Sequence, residues 1–89
     1  MVTFIILLNV KSNKITEIAE QLASMDEISE VYSVTGNYDL VAIVRTKTTD
    51  DVAELVTNHM GKIEGIEHTD TMLAFKAFSS HDLESMFSI

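Results

Sequence analysis

Cysteine, proline and tryptophan are absent from the chain, and glycine occurs three times. Without cysteine there is no disulfide framework, no thiol chemistry and no cysteine-based metal site. Without proline or any low-complexity stretch, nothing marks a linker between domains. Basic residues are scarce: six Lys and Arg stand against fourteen Asp and Glu, a formal charge of −8. The six are scattered, so no patch exists to neutralise phosphates, which argues against direct nucleic-acid binding and against an anionic membrane surface. Long apolar runs are missing as well. Phe4-Ile5-Ile6-Leu7-Leu8 is the strongest, but Asn9 interrupts it, and neither a basic flank nor a cleavage site accompanies it. A signal peptide or membrane span is not expected, and a cytoplasmic location is the default expectation.

Apolar residues are plentiful: they make up 46% of only 89 residues. A chain of this length is one domain, and it buries only about 60% of the surface exposed when unfolded. Excess apolar surface in so small a domain points to self-association.

Periodicity divides the chain into six elements and a tail. Residues 2–10 alternate with apolar positions on both faces: Val2, Phe4, Ile6, Leu8 and Val10 against Ile5 and Leu7. Such a strand is central and covered on each side. Residues 13–25 read as a helix with a stripe of Ile15, Ile18, Ala19, Leu22 and Ala23, capped by Ser12 or Asn13. Residues 28–35 are a second strand, and Gly36 and Asn37 break it. Residues 39–46 are a third strand, again apolar on both faces. A second helix starts at Thr48 or Thr49, where Thr48 and Asp51 resemble a capping box. Its expected stripe is Val52, Leu55, Val56, His59 and Ile63, and Gly65 is a natural C-cap. Residues 66–78 form a fourth strand. The tail, 79–89, reads as a short helix with Leu83, Met86, Phe87 and Ile89 apolar.

The order β-α-β-β-α-β with right-handed crossovers gives an α+β, ferredoxin-like sandwich with antiparallel strand order 4-1-3-2. That order puts the two doubly apolar strands in the middle. Two helices cover one sheet face only. The other is expected to meet a second subunit's sheet, with the domain spanning 1–78 and the tail 79–89 packing on a neighbouring subunit.

Chemistry is sparse. His59 reads as a partly buried core residue. His68 and Asp70 share a face of the fourth strand, but two ligands make a weak metal site, and no metal or cofactor is expected. No Ser/His/Asp or Cys/His set is evident. Asp50 and Asp51 suit a helix N-terminus. One stretch stands out: Thr35-Gly36-Asn37-Tyr38-Asp39. As a hairpin turn, Gly36 and Asn37 tolerate positive φ, and Asp39 bonds its own turn. A turn has no need of Tyr38. Exposed N–H groups around a glycine receive a carboxylate, and Asp39 suits an ammonium, the two demands of an α-amino acid.

The stretch VYSVTGNYDLVAIVRTKTTDDVAELV, followed by IEGIEHTDTMLAFK, resembles the effector-binding RAM module of Lrp/AsnC (feast/famine) transcriptional regulators. The matching pieces are the turn Thr35–Asp39, the strand behind it, Gly65-Ile66, and the T-x-T of Thr69 and Thr71. They span nearly the whole chain. The resemblance implies a non-enzymatic amino-acid-binding module of the same fold. It implies dimers joined through their sheets, assembled into octamers or similar rings, with the effector at subunit contacts. Carried over by position, the ligand-binding candidates are Thr35, Gly36, Asn37, Tyr38, Asp39, Thr69 and Thr71. Because the chain starts at the first strand, it looks like a stand-alone form without the helix-turn-helix, acting alone or through a full-length Lrp/AsnC-type regulator. The alternative is a small dimeric α+β barrel enzyme of monooxygenase type, using His59 or His68 in a cleft between sheet and helices.

Overall fold

The computed structural model describes residues 1–78; the expected tail helix over 79–89 and its packing lie outside them. Six main elements follow in order: β1 (Val2–Val10), α1 (Ile15–Ala23), β2 (Ile28–Ser33), β3 (Leu40–Thr46), α2 (Thr49–Glu54) and β4 (Ile66–Ala74). The sheet order is β2-β3-β1-β4 and every neighbouring pair is antiparallel. This is the expected βαββαβ arrangement, with β1 and β3 in the middle.

Register decides what each side chain meets. Ile6 pairs with Ala42 and Thr71, and Leu8 with Leu40 and Thr69. These residues face the helices, and Ile6, Leu8, Leu40, Ala42 and Val44 are completely buried there, against Ile18, Leu22, Val52 and Leu55. Burying one such aliphatic side chain contributes about 1.5–3 kcal/mol. The intervening residues form the opposite, open face. There Ile5 pairs with Ile43 and Met72, and Leu7 with Val41 and Asp70. Ile5, Leu7, Val41 and Ile43 remain partly exposed, and Met72 and Tyr32 about half exposed.

Four boundaries or roles differ from expectation. First, no side chain caps α1. A 3-10 turn over Ser12–Lys14 precedes it, closed by Lys14 N–H donating to Lys11 C=O at 2.9 Å, so Ser12 and Asn13 fall inside the turn. Second, β4 ends at Ala74 and not at 78. Ala74 pairs with Thr3, at the start of β1, so no partner strand extends further. Third, β2 stops at Ser33, where its ladder with β3 runs out at Leu40.

Fourth, His59 is exposed and does not lie on the buried stripe. The capping box of Thr48 and Asp51 forms and starts α2 as expected. Beyond Glu54, though, the helix widens into a π turn over Leu55–His59, with Met60 N–H reaching back to Leu55 C=O. One extra residue per turn carries the stripe from Leu55 to Met60, which is 2% exposed, and rotates His59 into solvent. Gly65 then turns the chain into β4 at φ +107°. The left-handed backbone favours glycine, and a Cβ there would lie 2.9 Å from Ile18 Cδ1 and from Lys14 Cδ, so both side chains would have to shift.

Candidate functional site

The turn between β2 and β3 is tied down on three sides. Val34 N–H donates to Asp39 C=O at 3.0 Å, closing the turn on itself. Gly36 takes φ +103°, with nothing within 4 Å of where a Cβ would sit. Asn37 stays at negative φ, so Gly36 alone supplies the left-handed residue.

The remaining ties go to other strands. Asp39 N–H donates to Leu8 C=O at 2.9 Å, and Asn9 Nδ2 donates to Asn37 C=O at 2.8 Å. The Asp39 carboxylate does not bond its own turn. Its Oδ2 accepts the Val10 N–H at 2.9 Å, because Val10 lies past the last β1–β3 pair and its N–H needs an acceptor. The Tyr38 hydroxyl donates to Asp70 Oδ2. Since β1 lies between β3 and β4, Tyr38 spans β1 to reach the edge strand. The aromatic that a plain hairpin has no use for is a strap across the end of the sheet.

Asp70 has a second neighbour, His68 Nε2, 3.3 Å from its Oδ1. Its carboxyl sits below the usual range, chiefly because Tyr38 donates to the charged form, with His68 adding to the effect. Tyr38 is raised above the usual phenol value, first by that same hydrogen bond. At neutral pH the pair is therefore a phenol donating to a carboxylate.

The two threonines stand elsewhere. Thr69 and Thr71 pair with Leu8 and Ile6 and face the helices, whereas Asp70 pairs with Leu7 and faces the open side. Thr69 lines a groove of about 340 Å³ with Met60, Ile63 and Ile66; Thr71 lines one of about 380 Å³ with Phe4, Val52 and Leu73. Neither groove includes a residue of the turn. Within one chain, Thr35–Asp39 form one group and Thr69 and Thr71 another, on opposite faces of the sheet. What the candidate residues omit is Asp70, together with Asn9 and His68. The alternation of β4 carried that signal, because the residue between two helix-facing threonines must face the other way.

Among the described residues no cluster of three or more His, Cys, Asp and Glu side chains could hold a metal ion. No helix among them is long and apolar enough to cross a membrane.

Comparison with known proteins adds a family. Residues 3–83 match the model of the Lrp/AsnC ligand binding domain. The HTH-type transcriptional regulator FL11 of Pyrococcus furiosus is 42% identical over 71 residues, which cover 80% of this chain and 46% of FL11. The chain thus spans about half the length of that regulator. The crystal structure of TTHA0845 from Thermus thermophilus superposes with a TM-score of 0.83 at 40% identity, covering 89% of this chain and 99% of that one. The hypothetical protein PHS023 from Pyrococcus horikoshii superposes at 0.81 with 36% identity, covering 92% and 99%. With the fold, the turn and the Gly65-Ile66 entry into β4 all in place, the chain belongs to the Lrp/AsnC ligand-binding-domain family.

Proposed function

We propose that this chain is an amino-acid-binding regulatory module. It pairs through the open faces of its sheets and assembles further into a ring. Effector bound at a subunit contact shifts that assembly or the chain's pairing with a transcriptional regulator. The observation that carries this reading is the turn itself. The N–H groups of Thr35, Gly36, Asn37 and Tyr38 enter none of the hydrogen bonds among the described residues. Consecutive free donors around a left-handed glycine make an anion-binding concavity that suits an α-carboxylate. Thr69 and Thr71, on the other face, complete such a site only when a neighbouring subunit presents its own β4 to the turn. Membership of a ligand-binding-domain family supports the same reading.

The enzyme alternative draws on His59 and His68 in a cleft between sheet and helices. His59 faces solvent, and His68, though it borders the groove beside Met60 and Ile63, brings its Nε2 to Asp70, which faces the open side, so neither supports it.

Thermal unfolding with each of the twenty amino acids at millimolar concentration, run alongside analytical ultracentrifugation, tests the proposal. An effector at a hundred times its dissociation constant adds about 2.7 kcal/mol. That raises the midpoint of a domain this size by roughly 10 °C or more. A monomer with no shift for any amino acid refutes the reading.

A further inference from the structure

Asp70 is a carboxylate on a face that is otherwise largely apolar. Leu7 is its cross-strand partner, and Met72 is the next residue on the same side of β4. Carboxylates in such places are ordinarily held by a Lys or Arg. Here no Lys or Arg pairs with it among the described residues. Its partners are the Tyr38 hydroxyl and His68. In the single chain the Asp70 side chain is 46% exposed, and it stands on the edge strand β4, at the border of the face proposed to pair. One tyrosine side chain links it to the Tyr38 backbone, the end of the run of free N–H groups that begins at Thr35.

Resting on the amino-acid reading above, we infer that Asp70 is the acceptor for the effector's α-ammonium, and that Tyr38 holds its place until effector arrives. The α-carboxylate sits on the turn N–H groups, and the ammonium takes over Asp70 Oδ2 from the Tyr38 hydroxyl. An ammonium–carboxylate pair is a charge-assisted contact, stronger than the phenol–carboxylate contact it replaces. Asp39 is less suited to the role because one of its oxygens is engaged by Val10 N–H at 2.9 Å. The exchange releases Tyr38 from its strap across β1. Effector binding then changes the conformation of the turn that a neighbouring subunit would contact, which links occupancy to assembly.

The test is isothermal titration of wild type, Asp70→Asn and Tyr38→Phe with the L-amino acid that gives the largest thermal shift. The carboxylic acid of the same side chain, lacking the amino group, serves as the control ligand. Asp70→Asn keeps an oxygen that accepts from Tyr38, so the strap survives while the charge is lost. The expected result is at least tenfold weaker amino-acid binding in Asp70→Asn, with the deaminated control unchanged. Tyr38→Phe, which removes the competing donor, binds the amino acid several-fold tighter. In a Tyr32→Phe background, where Tyr38 is the remaining tyrosine, effector also lowers the pH at which the phenol ionises. Wild-type affinity in Asp70→Asn overturns the inference while leaving the amino-acid reading intact. If Asp70→Asn does not fold, unchanged or weaker binding by Tyr38→Phe overturns it. A wild type that binds no amino acid removes the reading on which it rests.

Discussion

At the scale of the residue, the Tyr38–Asp70 contact gives the fold a pH signature whose sign follows from the two shifts. Asp70 is lowered in the folded chain. Its share of stability is therefore present above the ordinary carboxylate range, about 3.9, and is lost as pH falls through the folded value. Tyr38 is raised. Its share is present below the ordinary phenol value, about 10, and is lost as pH rises through the folded value. Between these limits the contact is fully formed. Tyr38→Phe is thus expected to lower the urea midpoint by a constant amount across the neutral range. The gap to wild type should narrow in acid below the carboxylate range and in alkali above the phenol range. Chemical denaturation of both proteins across pH measures it, and a gap that grows in acid contradicts the assignment. Local pattern is a poor guide to such a contact. Tyr38 and Asp70 are 32 residues apart, and only the β1–β4 register brings them together. The turn was legible because Gly36 and Asn37 are local signals. The carboxylate that engages its tyrosine was not.

At the scale of the element, helix 2 shows how one residue of slippage moves a whole face. A regular 3.6-residue repeat from Val52, Leu55 and Val56 lands on His59. The π turn at Leu55–His59 instead delivers Met60 to the core. Met60→Ala is expected to cost about 2–4 kcal/mol, in the range for truncating a fully buried side chain. His59→Ala, on the exposed side, is expected to stay within about 0.5 kcal/mol of wild type. Urea denaturation of the two variants separates the regular helix from the widened one, because the regular helix reverses their order. The strands were easier to read than the helix. Their period of two tolerates little slippage, since a one-residue shift would expose Ile6, Leu8 and Ala42 together. The double apolar pattern of β1 and β3 accordingly agrees with the central place that the βαββαβ order assigns them. Helix 2 had no such protection, because an extra residue in a turn costs little when Met60 is there to fill the core. Gly61 packs against the same turn, its Cβ position 3.3 Å from Val56 C=O.

At the scale of the molecule, the open face decides whether this chain lives alone. Ile5, Leu7, Val41 and Ile43 form a continuous apolar centre on two adjacent strands, flanked by Met72 on one side and Tyr32 on the other. Covering this surface with the same surface of a second copy places apolar groups against apolar groups about a two-fold axis. It also offsets the marginal stability of a domain that buries only about 60% of the surface its unfolded chain exposes. Leu7 is the discriminating position, since it lies at the centre of that face on β1 and contributes nothing to the helix-side core. Leu7→Glu places a charge on each side of the proposed two-fold interface. Desolvating those like charges is unfavourable enough that the variant is expected to stay monomeric where the wild type is expected to associate. Sedimentation velocity measures the change directly. The midpoint of thermal unfolding provides a second readout, because a folded dimer that unfolds to monomers becomes more stable as concentration rises. Wild type should show that concentration dependence and Leu7→Glu should not. Ile6→Ala, one residue away but facing the helices, is expected to lose about 2–5 kcal/mol of fold stability while sedimenting like wild type. Adjacent residues of one strand thus report on the core and on the assembly separately, and equal sedimentation of Leu7→Glu and wild type would remove the sheet face as the site of pairing.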